Sequence, residues 1–204
     1  MAMHGTVDTL LDRVKAIAPM LRAYAAEAEA QRRLARPVVD AMLQAGLYSM
    51  SHPKAFGGLE VDPLTMFRVV EEVAYHDSAA GWNMQMSVGA SCFLAWLPEE
   101  GAAEILTSPP TPIVAGTLFP GSQALPVAGG YRLRGQWPFV TGSHEGHWVM
   151  CLPQIMGLVA QPRRVKISEC IALLEFHHAI AHTEVHIGRH GRTFGTKDLT
   201  DEFA

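Results

Sequence analysis

From Val7 to about Ala35, apolar residues recur every three or four positions: Val7, Leu10, Leu11, Val14, Ile17, Ala18 and Leu21. Arg13, Lys15, Arg22 and Glu27 take much of the other face, so the pattern predicts an amphipathic helix with Thr6 or Asp8 near its start. Pro37 suits the first turn of a second helix through Gln44, which Gly46 can terminate. Asp62-Pro63 reads as an N-cap followed by proline at the first helical position, opening a third helix to about His76. Asp77 or Ser78 caps a fourth, which carries Trp82, Met84, Met86 and Phe93; its methionines read as core filler.

Ser108-Pro109-Pro110-Thr111-Pro112 breaks this pattern, because closely spaced prolines cannot continue a helix. Beyond it the periodicity shortens to that of strands. Ile113–Leu118, Tyr131–Arg134, His147–Leu152 and Ile171–Phe176 are the segments expected to be extended. The division predicts a helical unit over 1–108 and a β unit over 113–204, an α+β chain.

Charge and cysteine content narrow the function classes. Sixteen basic against twenty acidic side chains give a net charge of −4, and no basic tract stands out, which argues against nucleic acid as a partner. Cys92, Cys151 and Cys170 form no CxxC pair or disulfide framework, as expected in a reducing cytoplasm. The N-terminus has no basic leader followed by an apolar core, and the apolar run from Ala79 to Trp96 is interrupted by Asn83, Gln85 and Ser87. A membrane location is therefore not expected.

Histidines raise the question of a metal. His178, His182, His186 and His190 are spaced by four, but Gly188 and Gly191 argue against a continuous helix there. On a strand, neighbouring pairs would stand about 13 Å apart, too far to share one ion. His144 and His147 lack further ligands nearby in sequence, so no metal site is expected.

The stretch from Gly129 to Ser143 carries the most chemistry. A Gly-Gly pair precedes the short alternating run Tyr131-Arg132-Leu133-Arg134, followed by Trp137, Phe139 and the small bend Thr141-Gly142-Ser143. Aromatic rings can wall an apolar site, glycine admits close backbone approach, and a hydroxyl can hydrogen-bond a ring nitrogen; together these suit a flat aromatic cofactor. An ordinary β-hairpin with a buried tryptophan is the alternative reading.

Around it lie Ala55-Phe56-Gly57-Gly58-Leu59-Glu60, the run Val70 to Trp82 containing Glu71-Glu72 and Asp77-Ser78, then Leu97-Pro98-Glu99-Glu100, and Gly116-Thr117-Leu118-Phe119-Pro120-Gly121-Ser122. In that order, from about Leu34 to Cys151, these resemble the acyl-CoA dehydrogenase superfamily. The version Gln136-Trp137-Pro138-Phe139-Val140-Thr141-Gly142 is more similar to the flavin-dependent aromatic hydroxylases and sulfur-heterocycle monooxygenases than to the desaturating dehydrogenases.

The resemblance implies a helical N-terminal domain followed by a partial antiparallel β-barrel-like middle domain, with the family's C-terminal four-helix bundle, and the catalytic side chain it carries, missing. It implies FAD or reduced FMN as cofactor, a separate flavin reductase as partner, and a small aromatic or heterocyclic substrate hydroxylated with oxygen. Thr141 would sit near the flavin N5 edge as the catalytic hydroxyl. Thr117, Trp137, Phe139, Thr141, Gly142 and Ser143 would contact the cofactor, and Gly121 and Ser122 would approach the substrate. The Gly57-Gly58 loop would lie near the substrate entrance. Ala90 departs from the pattern, since several monooxygenases have a histidine there. FAD-dependent α,β-desaturation of an acyl-CoA is the second enzymatic reading, and a non-catalytic fragment that binds flavin or a partner chain is the third. Loss of the bundle would leave apolar surface exposed and favour self-association or a complementing chain.

Overall fold

The computed structural model describes residues 2–107, 109–127, 130–135, 137, 139–155, 172–175, 185–188 and 193–194. Five helices come first: α1 (Ala2–Gln31), α2 (Arg36–Gln44), α3 (Pro63–His76), α4 (Ser78–Ser91) and α5 (Glu99–Leu106). The first helix starts earlier than expected and ends at Gln31; Leu34 and Ala35 lie beyond it but remain buried. It passes through Pro19, which lies on its exposed side.

The predicted caps form. The Asp62 carboxylate accepts from the Thr65 backbone N–H at 3.1 Å, with Pro63 opening α3, and Asp77 accepts from the Ala79 N–H at 2.9 Å to start α4. Each cap satisfies a donor that helix geometry leaves without a partner. Gly46, at φ 75°, turns the chain after α2 in a conformation that costs glycine nothing.

Leu10, Val14 and Leu21 of α1 meet Val38, Val39 and Met42 of α2, Val69 and Val73 of α3, and Met84 and Val88 of α4 in one core. Each such side chain contributes roughly 1.5–3 kcal/mol by leaving water. Helix α4 buries Ala80, Gly81, Asn83, Met84, Ser87, Val88, Ala90 and Ser91, on more than one face, as a central helix must. Met84 is core filler as expected, whereas Met86 is only half-buried and Trp82 is exposed.

The strands are β1 (Val114–Val127), β2 (Gly130–Gly135), β3 (Trp148–Ile155), β4 (Ala172–Glu175), β5 (Val185–Gly188) and β6 (Thr193–Phe194), in the order β4-β3-β1-β2-β5-β6. The described pairings are antiparallel, as expected, except one: β1 and β3 pair in parallel, Val114 opposite Trp148 and Thr117 opposite Cys151. The cause is the connection after β2. Residues 139–147 bring the chain to the start of β1, where the N–H groups of His147 and Trp148 both donate to the Ile113 carbonyl, at 2.8 and 3.2 Å. Gly130 is the first residue of β2, paired with Val127.

Helices and sheet join through α4. The Val114 N–H at the head of β1 donates to the buried Ser87 hydroxyl at 3.2 Å. A second apolar cluster, Ala90, Leu94, Ile105, Leu106, Val114, Trp148 and Met150 among its members, fills the junction. Exposed large apolar side chains include Leu64, Phe67 and Tyr75 on α3 and Trp82 on α4. Among the described residues no helix is long and apolar enough to cross a membrane.

Candidate functional site

The segment between β2 and β3 builds a compact turn. The Ser143 N–H donates to the Val140 carbonyl at 3.2 Å, and the Gly142 carbonyl accepts from the N–H groups of Glu145 (3.1 Å) and Gly146 (2.8 Å). Two residues hold positive φ: Gly142 at 77°, where glycine is at ease, and Phe139 at 60°, where a bulky residue is strained. The turn is anchored to the start of β1, because the Ile113 N–H donates to His147 Nδ1 at 3.0 Å.

That arrangement decides where the expected site residues go. Phe139 is 86% exposed and Trp137 is half-buried, so neither is the core aromatic that a plain hairpin would contain. Thr141, Gly142 and Ser143 are half-buried on the same turn, and neither hydroxyl makes a hydrogen bond among the described residues. Thr117 is buried in β1 at the point where pairing with β3 shifts register, between Thr117 and Ser122. Gly121 lies within that irregular stretch, and Ser122 resumes the pairing, opposite Gly135 on one side and Pro153 on the other.

The Ala90 departure has a local counterpart. A Cβ placed on Gly116 of β1 would stand 2.9 Å from the Ala90 methyl and 2.8 Å from Met150 Cε, so α4 and the sheet close directly on one another at this point.

A polar relay missed by sequence reasoning runs beneath the turn. The Tyr48 hydroxyl, fully buried, donates to Asn83 Oδ1 at 3.3 Å, and Asn83 Nδ2 donates to Glu145 Oε2 at 3.2 Å. Burial first, then the Glu145 charge, pushes the Tyr48 phenol far above its ordinary range. The sequence marks Asn83 only as one of several polar residues on α4; its burial among Ala80, Met84, Ser87 and Val88, which makes an amide need partners, is a property of the fold.

Other titratable groups are tuned by desolvation. Burial lowers His52 to about 4, and burial followed by the Arg36 charge lowers His147. Among the described residues, His52 Nε2 and Ser91 Oγ are buried without a hydrogen-bond partner. Burial raises the Cys151 thiol to about 12, which keeps it protonated and unreactive. Among the described residues no three His, Cys, Asp or Glu side chains gather as metal ligands. His186 lies in β5, while Cys170, His178, His182 and His190 fall outside the described residues.

A cleft of about 320 Å³ opens between the end of α1, the start of α2 and the outer side of the turn, lined by Glu27, Arg33, Arg36, His144 and Glu145 among others. Its charged walls do not suit an isoalloxazine ring, which wants apolar faces. The Phe139 and Thr141 side fits such a ring better. It offers an exposed aromatic ring, two hydroxyls that make no hydrogen bond among the described residues, and a glycine at positive φ. The residues present therefore fit a flavin edge.

Residues 8–108 match the family model of the acyl-CoA dehydrogenase N-terminal domain. The chain is 36% identical over 143 residues to indole-3-acetate monooxygenase of Pseudomonas putida, a match covering 70% of this chain and 35% of that protein. It is 28% identical over 142 residues to the oxygenase component of FADH(2)-dependent resorcinol hydroxylase of Rhizobium sp. (strain MTP-10005), again over 70% of this chain and 35% of that one. Among solved structures, XiaF from Streptomyces sp. in complex with FADH2 and glycerol superposes with a TM-score of 0.73 at 27% identity, over 79% of this chain and 41% of that chain. The chain thus spans 35% of the length of these two curated relatives.

Proposed function

We propose, from the premise that this chain belongs to the acyl-CoA dehydrogenase superfamily through residues 8–108, that it serves an oxygenase of the two-component flavin-dependent kind. Its substrate class is a small aromatic or heterocyclic molecule, and its reduced FMN or FAD comes from a separate reductase. When bound, the reduced flavin supplies two electrons to oxygen, one oxygen atom entering the substrate ring as hydroxyl and the other leaving as water. One observation carries the reading: the turn after β2 presents a strained, solvent-facing Phe139 on the same turn as Thr141 and Ser143, whose hydroxyls make no hydrogen bond among the described residues.

In this reading Phe139 and Trp137 wall one face of the ring, and Gly142 lets the backbone come close. Thr141 Oγ1 holds or donates a proton at the N5 edge, which is the atom whose protonation must be controlled when electrons leave the ring. Thr117 in β1 borders the cofactor, and the bulged stretch through Gly121 and Ser122 faces the substrate. We read residues 1–108 and 113–204 as separate units, the second being barrel-like, with the cofactor edge where they meet.

Anaerobic titration of the chain with reduced FMN and reduced FAD, followed by mixing with oxygen, tests this. The expected outcome is saturable binding and reoxidation kinetics that differ from those of free reduced flavin. Absence of binding to either flavin in both oxidation states would leave the third reading, a chain that acts only through a partner.

A further inference from the structure

Thr141 and Ser143 sit on a turn that is anchored to the start of β1 through His147, and a second contact holds it in register with the helices. Asn83, 7% exposed on α4, is the side chain that touches the turn at two places. Its Nδ2 donates to the Glu145 carboxylate at 3.2 Å, and a Cβ added to Gly142 would lie 3.3 Å from Nδ2 and 3.5 Å from Oδ1. From below, the Tyr48 hydroxyl donates to Oδ1 at 3.3 Å. The two ends of the amide are thereby assigned, since only the carbonyl oxygen can face a hydroxyl donor and only the NH₂ can face a carboxylate.

We infer that Asn83 is the positioning residue of the flavin-edge turn, tying Glu145 and Gly142 to the buried Tyr48 so that the helical core sets the placement of Thr141. The inference rests on the flavin reading for its consequence, though not for the geometry. No isosteric replacement keeps both bonds. An apolar residue leaves the Tyr48 hydroxyl and the Glu145 carboxylate without partners, and an aspartate sets two carboxylates against each other. The Gly142 carbonyl already serves two N–H donors, so displacing Gly142 loosens the Glu145 and Gly146 amides together.

The experiment uses the full chain and its variants N83D, E145A and N83D/E145Q, with two readouts. Amide hydrogen exchange, resolved by NMR without flavin, is expected to quicken by about tenfold or more at Glu145 and Gly146 in N83D, as one lost charge-assisted bond requires. Amides in the middle of α3 should keep their rates. In N83D/E145Q the new amide can donate to the new carboxylate, and exchange should return to within about threefold of the parent. Affinity for reduced FMN should fall and recover in step.

E145A covers the case in which N83D does not fold, because Glu145 is only half-buried and its loss removes the same bond from the turn side. Unchanged turn exchange in both N83D and E145A, or a double variant no better than N83D, would overturn the positioning role. A parent chain that binds no flavin would overturn the proposed function, while the exchange measurement would still decide whether Asn83 holds the turn.

Discussion

Gly81 of α4 lies so close to Ala74 of α3 that a methyl group on it would stand 2.6 Å from the Ala74 Cβ and 2.8 Å from its Cα. Two of the helices that enclose the core therefore approach backbone to side chain, and only the absence of a side chain allows it. Gly89, on the same helix, has nothing within 4 Å of the corresponding position. The pair gives a prediction of opposite sign from one substitution. Gly81→Ala should lose roughly 2 kcal/mol net, overpacking outweighing the gain in helix propensity. Gly89→Ala should gain roughly 0.5–1 kcal/mol. Urea midpoints at constant m-value read both, and equal shifts would mean the helices are not in close contact at Gly81.

Ser87 joins helices to sheet by a single hydroxyl. Because Val114 N–H donates to it in a buried setting, Ser87→Ala leaves an N–H without a partner and should cost roughly 1–3 kcal/mol. The loss should localise, with faster amide exchange at Val114 and unchanged exchange in α1. A cost below about 0.5 kcal/mol would mean that water reaches the site and replaces the hydroxyl.

Acid should weaken the fold through two histidines. His52 and His147 both have folded-state values below the ordinary 6.5, His52 at about 4, because burial disfavours their charged forms. The unfolded chain therefore binds protons first. Their contribution is fully present above about 6.5 and is lost as pH falls from there towards 4, with His52 accounting for up to about 3 kcal/mol. His52→Gln should flatten much of this slope. A parent stability that stays level between pH 7 and 4.5 would contradict the burial of both rings.

The helical half of this fold was legible because its signals are local. Asp62-Pro63 and Asp77 mark helix starts by a chemistry that needs no tertiary partner, and the structure shows both carboxylates capping. Four of the six described strands were legible, β5 and β6 were not, and none of the pairings was. Val114 lies beside Trp148 because residues 139–147 bring the chain to Ile113, and no periodicity reports where a connection lands. The candidate site divides in the same way. Thr141, Gly142 and Ser143 stand on one short turn and could be read together. Tyr48, Asn83 and Glu145 are far apart in sequence, and each looks ordinary until the fold brings them within hydrogen-bonding distance.

Phe139 offers the sharpest separation of strain from function. Its ring is 86% exposed, so packing does not explain it, and its backbone sits at φ 60°, where a residue with a Cβ costs roughly 1–2 kcal/mol. Two substitutions divide these facts. Phe139→Ala removes the ring and keeps the strain, so stability should stay within about 0.5 kcal/mol of the parent. Phe139→Gly removes both; relief of strain, partly offset by the greater freedom of glycine in the unfolded chain, should raise stability by up to roughly 1 kcal/mol. If the ring walls a flavin, both variants should bind reduced FMN at least about fivefold more weakly, since stacking on an aromatic face contributes about 1 kcal/mol or more and a glycine also frees the turn. The combination of a more stable protein and a poorer ligand site is what a strained functional residue predicts. Unchanged flavin affinity in both variants would remove Phe139 from the site, and a less stable Phe139→Gly would show that the positive φ carries no strain.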